Sequence, residues 1–157
     1  MRILYSLVTI LILSLVSGCG SAGDDTTAPQ AQRALASDED IGDHVVHFSA
    51  QSTDHLPPEV ARAYGIVRSK NRAMLTVSVL KKGTTNSVPA KVAVRTVNLA
   101  GQLKNVTMRE IHEQDAIYYI GETGIANRET LIFTIDITPE GASEPSEVRF
   151  TREFYTN

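Results

Sequence analysis

From Ile41 to the end of the chain, apolar and polar residues alternate with a period of two rather than 3.6. Side chains of a β-strand point to opposite faces in turn, so this alternation is typical of strands with one buried and one solvated face. The clearest run, at 131–137, ends just before Pro139. Because no helical crossovers lie between the runs, the pattern excludes a parallel α/β sheet and predicts an all-β fold.

About seven segments carry the alternation, and turn residues separate them. Strands at this spacing favour an Ig-like antiparallel β-sandwich, although the chain lacks the tryptophan and the cysteine pair of antibody domains. Within one strand, Tyr118 and Tyr119 are adjacent, which predicts one ring in the core and the other outside. The predicted strands are 44–50, 73–80, 90–99, 103–112, 116–120, 131–137 and 148–154, with Gly121 and Gly124 in the loop after the fifth.

One segment, 56–65, does not alternate and predicts a short helix within a loop. Val60, Ala63 and Tyr64 fall at i, i+3 and i+4, which places them on one helical face. Gly65 stands where the residue after a helix commonly adopts a left-handed conformation. We expect Tyr64 to fill the open end of the sandwich.

The N-terminal 18 residues have the pattern of a bacterial secretory signal. Arg2 precedes an apolar run at 3–16, which is shorter than the roughly 20 residues needed to span a bilayer. The run leads to a sequence at 16–19 that resembles a lipobox, the site at which a cysteine thiol receives a diacylglyceryl group. Cys19 is the only cysteine of the chain. The resemblance implies that Cys19 is lipidated and holds the protein on a membrane.

These features divide the chain into a lipoprotein signal peptide at 1–18, a lipidated N-terminus with a flexible linker at 19–40, and a sandwich domain at 41–157. The linker is rich in small polar residues and lacks aromatic residues. The acidic run at 38–40 indicates its solvated end. Gly20 stands where inner-membrane lipoproteins usually carry Asp, so we expect a periplasm-facing protein on the inner leaflet of the outer membrane.

Three segments, at 42–48, 56–66 and 78–80, carry a family resemblance, and the second contains Ala63, Tyr64 and Gly65. Together they resemble a bacterial family known as domain of unknown function 4426, whose hallmark is an Ala-Tyr-Gly motif. The resemblance extends over 41–157 and implies a small secreted protein with an Ig-like fold. It implies no activity and no catalytic residues.

The sequence shows no recognisable catalytic or metal-binding pattern. The formal net charge of −3 argues against nucleic-acid binding, which needs a basic surface. His44 and His47 are three residues apart, so a strand places them on opposite faces. His112 and Glu113 lack the second histidine of a zinc-protease helix, because position 116 is Ala116. We therefore expect no metal, no cofactor and no enzymatic activity.

The predicted helix and the residues after it form the candidate interaction surface. Tyr64 and Gly65 lie beside Arg68, Lys70 and Arg72, which place three positive charges within five residues. Such a run either meets an anionic partner or forms a solvated loop.

We predict a non-catalytic binding or adaptor module that reaches the membrane through lipidated Cys19 and binds another envelope protein. Two alternatives stay open. One is a small-ligand or glycan binder with a pocket at the sandwich end near Tyr64, and the other is a purely structural envelope protein.

Overall fold

A computed structural model describes residues 36–157, which form two antiparallel sheets packed face to face. One short α-helix lies among the strands in this part of the chain. The predicted fold class, an Ig-like antiparallel β-sandwich with one short helix, is therefore confirmed. The elements in chain order are β1 (Ala36–Ile41), β2 (His44–Ser52), a 3₁₀ turn (Thr53–His55), α1 (Pro58–Ala63), β3 (Arg72–Lys81), β4 (Ala90–Asn98), β5 (Leu103–Lys104), β6 (Arg109–Glu113), β7 (Ala116–Gly124), β8 (Glu129–Pro139) and β9 (Ser146–Phe154).

The strand order is β1-β2-β3-β7-β6 in the five-stranded sheet and β5-β4-β8-β9 in the four-stranded sheet. The core lies between the sheets, where the inner faces meet. Phe150 joins the two layers, since its ring centroid lies 4.8 Å from that of Phe48 and 4.8 Å from that of Phe133. The Tyr119 ring is also buried, and its hydroxyl oxygen accepts a 2.7 Å hydrogen bond from the N–H of Ala90.

The domain begins earlier than predicted, because Ala36 already belongs to β1. Its acidic run at 38–40 was expected to end the flexible linker, but it pairs in register with 45–47 of β2. The acidic side chains are exposed on a strand at the edge of the sheet. Charged residues are common on such edges because they discourage pairing with other chains. A charged edge strand thus resembles a linker in composition.

The prediction of one strand at 103–112 is wrong, because this segment supplies β5 to one sheet and β6 to the other. Residues 105–108 make the crossing between the two sheets. A segment that changes sheets need not keep a single alternation of buried and exposed faces, which explains its irregular pattern.

The crossing segment lies against Gly121, and this contact corrects the predicted end of the fifth strand. A Cβ atom on Gly121 would lie 2.6 Å from Met108 Sδ and 2.6 Å from Val106 Cγ1. Gly121 is therefore required for close approach within a strand rather than for a loop. Strand β7 continues through it to Gly124.

Glu129, the first residue of β8, links three segments at one end of the sandwich. Its carboxylate accepts hydrogen bonds from Lys104 Nζ (2.7 Å), Asn98 Nδ2 (3.0 Å) and the N–H of Ala126 (2.8 Å). Partial burial opposes the charge, but these donors outweigh it and hold the pKa of Glu129 below its usual value.

Candidate functional site

The segment between β2 and β3 folds across the outer face of the five-stranded sheet. We call this segment, residues 53–71, the outer layer. Its Leu56, Ala61 and Ile66 are buried in a second hydrophobic cluster with Met74 of β3 and Ile120 of β7. Strands β3 and β7 are therefore apolar on both faces at this point, where one face meets the main core and the other meets the outer layer.

This arrangement corrects the position predicted for Tyr64. Its side chain packs against the cluster on the outer face of the sheet, not at the open end of the sandwich. Ala63, predicted to share one helical face with Val60 and Tyr64, is exposed, whereas Ala61 is buried. Helix α1 is only six residues long. The direction that the chain takes after the helix determines which helical positions face the sheet.

Gly65 has the predicted left-handed conformation, with φ of +63°. The N–H of Gly65 donates to the carbonyl of Arg62 at 3.2 Å, and the N–H of Ile66 donates to that of Ala61 at 2.7 Å. These two bonds form a Schellman motif, in which the residue after the glycine packs back against the helix. The Ala-Tyr-Gly sequence thus ends the helix and directs Ile66 into the cluster.

A cavity of about 170 Å³ lies between the outer layer and the sheet. Aliphatic and aromatic side chains form most of its wall, and Thr76 and Glu113 are the two polar residues without an aromatic ring among those that line it. A cavity of about 150 Å³ with an apolar wall binds benzene or xenon. The lining residues are Leu56, Val60, Tyr64, Ile66, Met74, Thr76, Ile111, Glu113, Tyr118 and Ile120.

Tyr64 is connected to both ends of β6. Hydrogen bonding of its hydroxyl to the Glu113 carboxylate raises the pKa of Tyr64 above its usual value. The Arg109 guanidinium donates a hydrogen bond to the backbone carbonyl of Tyr64. Ile111 lies between these two residues on β6 and contributes to the cavity wall. Tyr64 therefore covers the cavity on the side where β6 forms the edge of the sheet.

Sequence reasoning missed Thr53, which joins the two ends of the outer layer. Its side chain is fully buried, and its Oγ1 accepts a 2.9 Å hydrogen bond from the N–H of Ser69. The same hydroxyl lies 2.9 Å from the carbonyl oxygen of Val67 and 3.1 Å from that of Ser69. Its single proton is shared between these two acceptors. A threonine at the end of a strand carries no signal for such long-range contacts in a single sequence.

The three basic residues of the predicted surface have separate environments. Arg68 donates a 2.6 Å hydrogen bond to the backbone carbonyl of Asp54, and Arg72 Nε lies 3.4 Å from Glu122 Oε2. Lys70 is exposed. The Ser52 hydroxyl, aided by the charges of His55 and Lys70, lowers the pKa of Asp54. Two of the three cations are therefore engaged within the domain, and only Tyr64 of the predicted set lines the cavity.

Within residues 36–157, no three His, Cys, Asp or Glu side chains come close enough together to hold a metal ion. No helix in that range is long and apolar enough to cross a membrane. The signal peptide at 1–18 and the lipidation site Cys19 lie outside the described residues.

Fold and cavity together define a small Ig-like β-sandwich with an apolar site on its five-stranded sheet. Residues 38–157 match the model of the family described as domain of unknown function (DUF4426). The chain belongs to the DUF4426 family, which confirms the resemblance seen in its sequence. No curated protein matches the chain.

Solved structures agree with this assignment. A DUF4426 family protein from Pseudomonas aeruginosa PAO1 is 31% identical, with a TM-score of 0.68, over 78% of this chain and 97% of that chain. A copper-bound variant of FetP from uropathogenic Escherichia coli strain F11 is 12% identical, with a TM-score of 0.55, over 76% of this chain and 95% of that chain. FetP as isolated after expression in the periplasm of Escherichia coli gives the same identity and TM-score, over 77% and 94%. The likeness to FetP shows the fold alone.

Proposed function

We propose that this protein is a periplasm-facing, lipid-anchored binding module of the cell envelope. It is non-catalytic, and it binds an apolar group in the cavity beneath Tyr64. The observation that carries the proposal is the cavity of about 170 Å³, whose wall is mostly aliphatic and aromatic. A concave apolar site with a few polar groups at its margin is typical of a ligand or partner site.

The chemistry of the wall distinguishes between the two alternatives. A glycan offers many hydroxyl groups that need hydrogen-bonding partners, and a mostly aliphatic and aromatic wall supplies few of them. A purely structural domain gains nothing from unfilled space, because a cavity in an apolar cluster lowers the free energy of unfolding. The cavity therefore suits one apolar side chain of a partner protein, or a small apolar molecule, better than a glycan, and a ligand explains the unfilled space better than a structural role does.

Xenon tests the cavity directly, because it is an apolar probe of suitable size. We would titrate the full-length protein with xenon and follow the methyl NMR signals of Ile111 and Ile120. Thr76→Ile should reduce the cavity and abolish their shifts. Ser78→Val is the matched control, since Ser78 lies on the same face of β3 but outside the cavity wall. The proposal fails if the wild-type signals do not respond to xenon.

The location is supported by the signal pattern and by the single cysteine at its end. We expect the wild-type protein to incorporate palmitate and to sediment with the outer membrane. Cys19→Ser should remove the label and release the protein from the membrane, because one thiol carries the anchor. Membrane retention of Cys19→Ser would contradict lipid anchoring.

A further inference from the structure

Strand β6 forms one edge of the five-stranded sheet. It pairs with β7 on one side, and within the described residues no strand pairs with its other side. A sheet edge exposes a row of unpaired N–H and C=O groups, which another polypeptide in extended conformation can bind. The edge of β6 differs from a plain edge because Ile111 and Glu113 also line the cavity.

The hairpin geometry shows which backbone groups of β6 are free. Gln114 and Asp115 form a two-residue turn, and the register pairs Glu113 with Ala116. In a two-residue hairpin, the pair that flanks the turn exchanges hydrogen bonds, and the pairs beyond it alternate between bonded and non-bonded. Ile111, two residues before Glu113, is therefore also bonded to β7.

The residues on either side of Ile111 are Glu110 and His112. They belong to non-bonded pairs, opposite Tyr119 and Ile117 respectively. A separate contact supports this alternation, because the N–H of Ile117 donates to the Ser87 hydroxyl at 3.1 Å and not to His112. The N–H and C=O groups of Glu110 and His112 consequently point away from β7, toward the open edge.

A strand added at this edge would place one side chain beside the cavity. Strands in a sheet lie about 4.8 Å apart, and residues directly opposite each other project from the same face. The added residue opposite Ile111 would therefore lie next to the cavity wall, on the side that Tyr64 covers. Its two neighbours along the added strand would bond to Glu110 and His112.

The charges near the edge indicate the chemistry of the occupant. Glu110, Glu113 and Asp115 are exposed there. Arg109 supplies the one guanidinium group on β6, and Glu110 also contacts the His112 ring, so carboxylates outnumber guanidinium groups at this edge by three to one. An acidic edge favours basic residues on the added strand, since opposite charges on adjacent strands attract. A second copy of this chain would instead bring like charges together.

We propose that the open edge of β6 binds an extended segment of a partner protein, in which one apolar residue displaces the Tyr64 side chain and enters the cavity, and lysine or arginine residues flank it. This inference rests on the proposed function, because it uses the same cavity. It adds the binding mode, which is strand addition, and the class of partner.

The test uses the full-length protein and a synthetic peptide, acetyl-Thr-Lys-Val-Lys-Phe-Lys-Val-Lys-Thr-amide. We expect the peptide to slow amide hydrogen exchange at Glu110 and His112 at least tenfold, while the amide of Ile111, already bonded to β7, changes little. Replacing the central phenylalanine with aspartate should remove the effect, because the cavity wall is apolar. A peptide that binds without protecting the two amides would overturn strand addition.

His112→Pro removes the N–H at the open edge, a position where proline is tolerated in a strand. It should weaken peptide binding at least tenfold, whereas His112→Ala, which keeps the N–H, should bind normally. Thermal unfolding of both variants checks that the domain is folded. If xenon enters the cavity but no peptide protection appears, strand addition fails and the proposed function stands. If neither is seen, both fail. Protection of the two amides by self-association alone would also overturn the proposal.

Discussion

Replacing Thr53 with valine tests whether one buried hydroxyl holds the two ends of the outer layer together. Valine has nearly the same shape as threonine, so the packing around the fully buried side chain stays. The N–H of Ser69 loses its acceptor, and the carbonyl groups of Val67 and Ser69 lose their donor. Thr53→Val therefore isolates the hydrogen bonds from the hydrophobic contacts.

The expected loss follows from the number and burial of these groups. A buried polar group without a partner costs about 1–3 kcal/mol. The contacts to the Thr53 hydroxyl are partly buried, so a value of about 2 kcal/mol is reasonable for the set. For a domain of this size, 1 kcal/mol lowers Tm by roughly 4 °C, which gives a decrease of about 8 °C.

Thermal unfolding followed by circular dichroism, together with urea titration, measures this loss. Thr53→Ser is the control, because it keeps the hydroxyl and removes one methyl group, at a cost of about 1 kcal/mol. The order of Tm should be wild type, Thr53→Ser and then Thr53→Val. A Thr53→Val protein more stable than Thr53→Ser would refute the assignment of this link to hydrogen bonding.

Three further substitutions test other features. Gly65→Ala should lower the free energy of unfolding by about 1 kcal/mol, because alanine is strained at a φ of +63°. Nothing lies within 4 Å of the added Cβ, so the loss comes from the backbone alone, and an unchanged urea midpoint would contradict it. Gly121→Ala should lower the free energy of unfolding by about 1–3 kcal/mol, because the added Cβ clashes with Met108 and Val106. Urea titration measures this loss, and an unchanged midpoint would show that residues 105–108 move aside at no cost. The pKa of Glu129 is lower in the folded protein than its usual value of 4.5, so the ionised carboxylate stabilises the fold at pH values above 4.5. This stabilisation is lost as the pH falls through the pKa of the folded state. The stability difference between wild type and Glu129→Gln should therefore shrink below about pH 4.5, and a constant difference would be inconsistent with that pKa.

Alternation was sufficient to predict the strands whose two faces differ in polarity. Residues 131–137 of β8 keep Leu131, Phe133, Ile135 and Ile137 in the core, as expected. Alternation does not predict a strand where its residues also serve another structural purpose, such as protecting a sheet edge or crossing between sheets. The charges of β1 meet the needs of an edge strand and obscure its pairing, and the crossing at 105–108 changes the face that is buried.

The candidate site was predicted only in part, for a related reason. The helix-like segment and its Gly65 were visible in local sequence, because capping depends on neighbouring residues. The face against which the segment packs depends on Met74 and Ile120, which come from two strands distant in sequence. Met74 alternates with the core residues Leu75 and Val77, and a single sequence does not show that 53–71 return to cover its face of the sheet.

The two-sided strands also have a dynamic consequence. Residues 53–71 contact the domain through the second hydrophobic cluster and the hydrogen bond from Arg109 to Tyr64, while the main core lies on the other side of β3 and β7. The outer layer can therefore detach in a local opening that leaves the sandwich folded, and such openings require less free energy than global unfolding. Occupancy of the cavity would suppress this opening and stiffen the helix. Because a partner that binds only the closed form stabilises that form, it would raise the free energy of local opening and of global unfolding together.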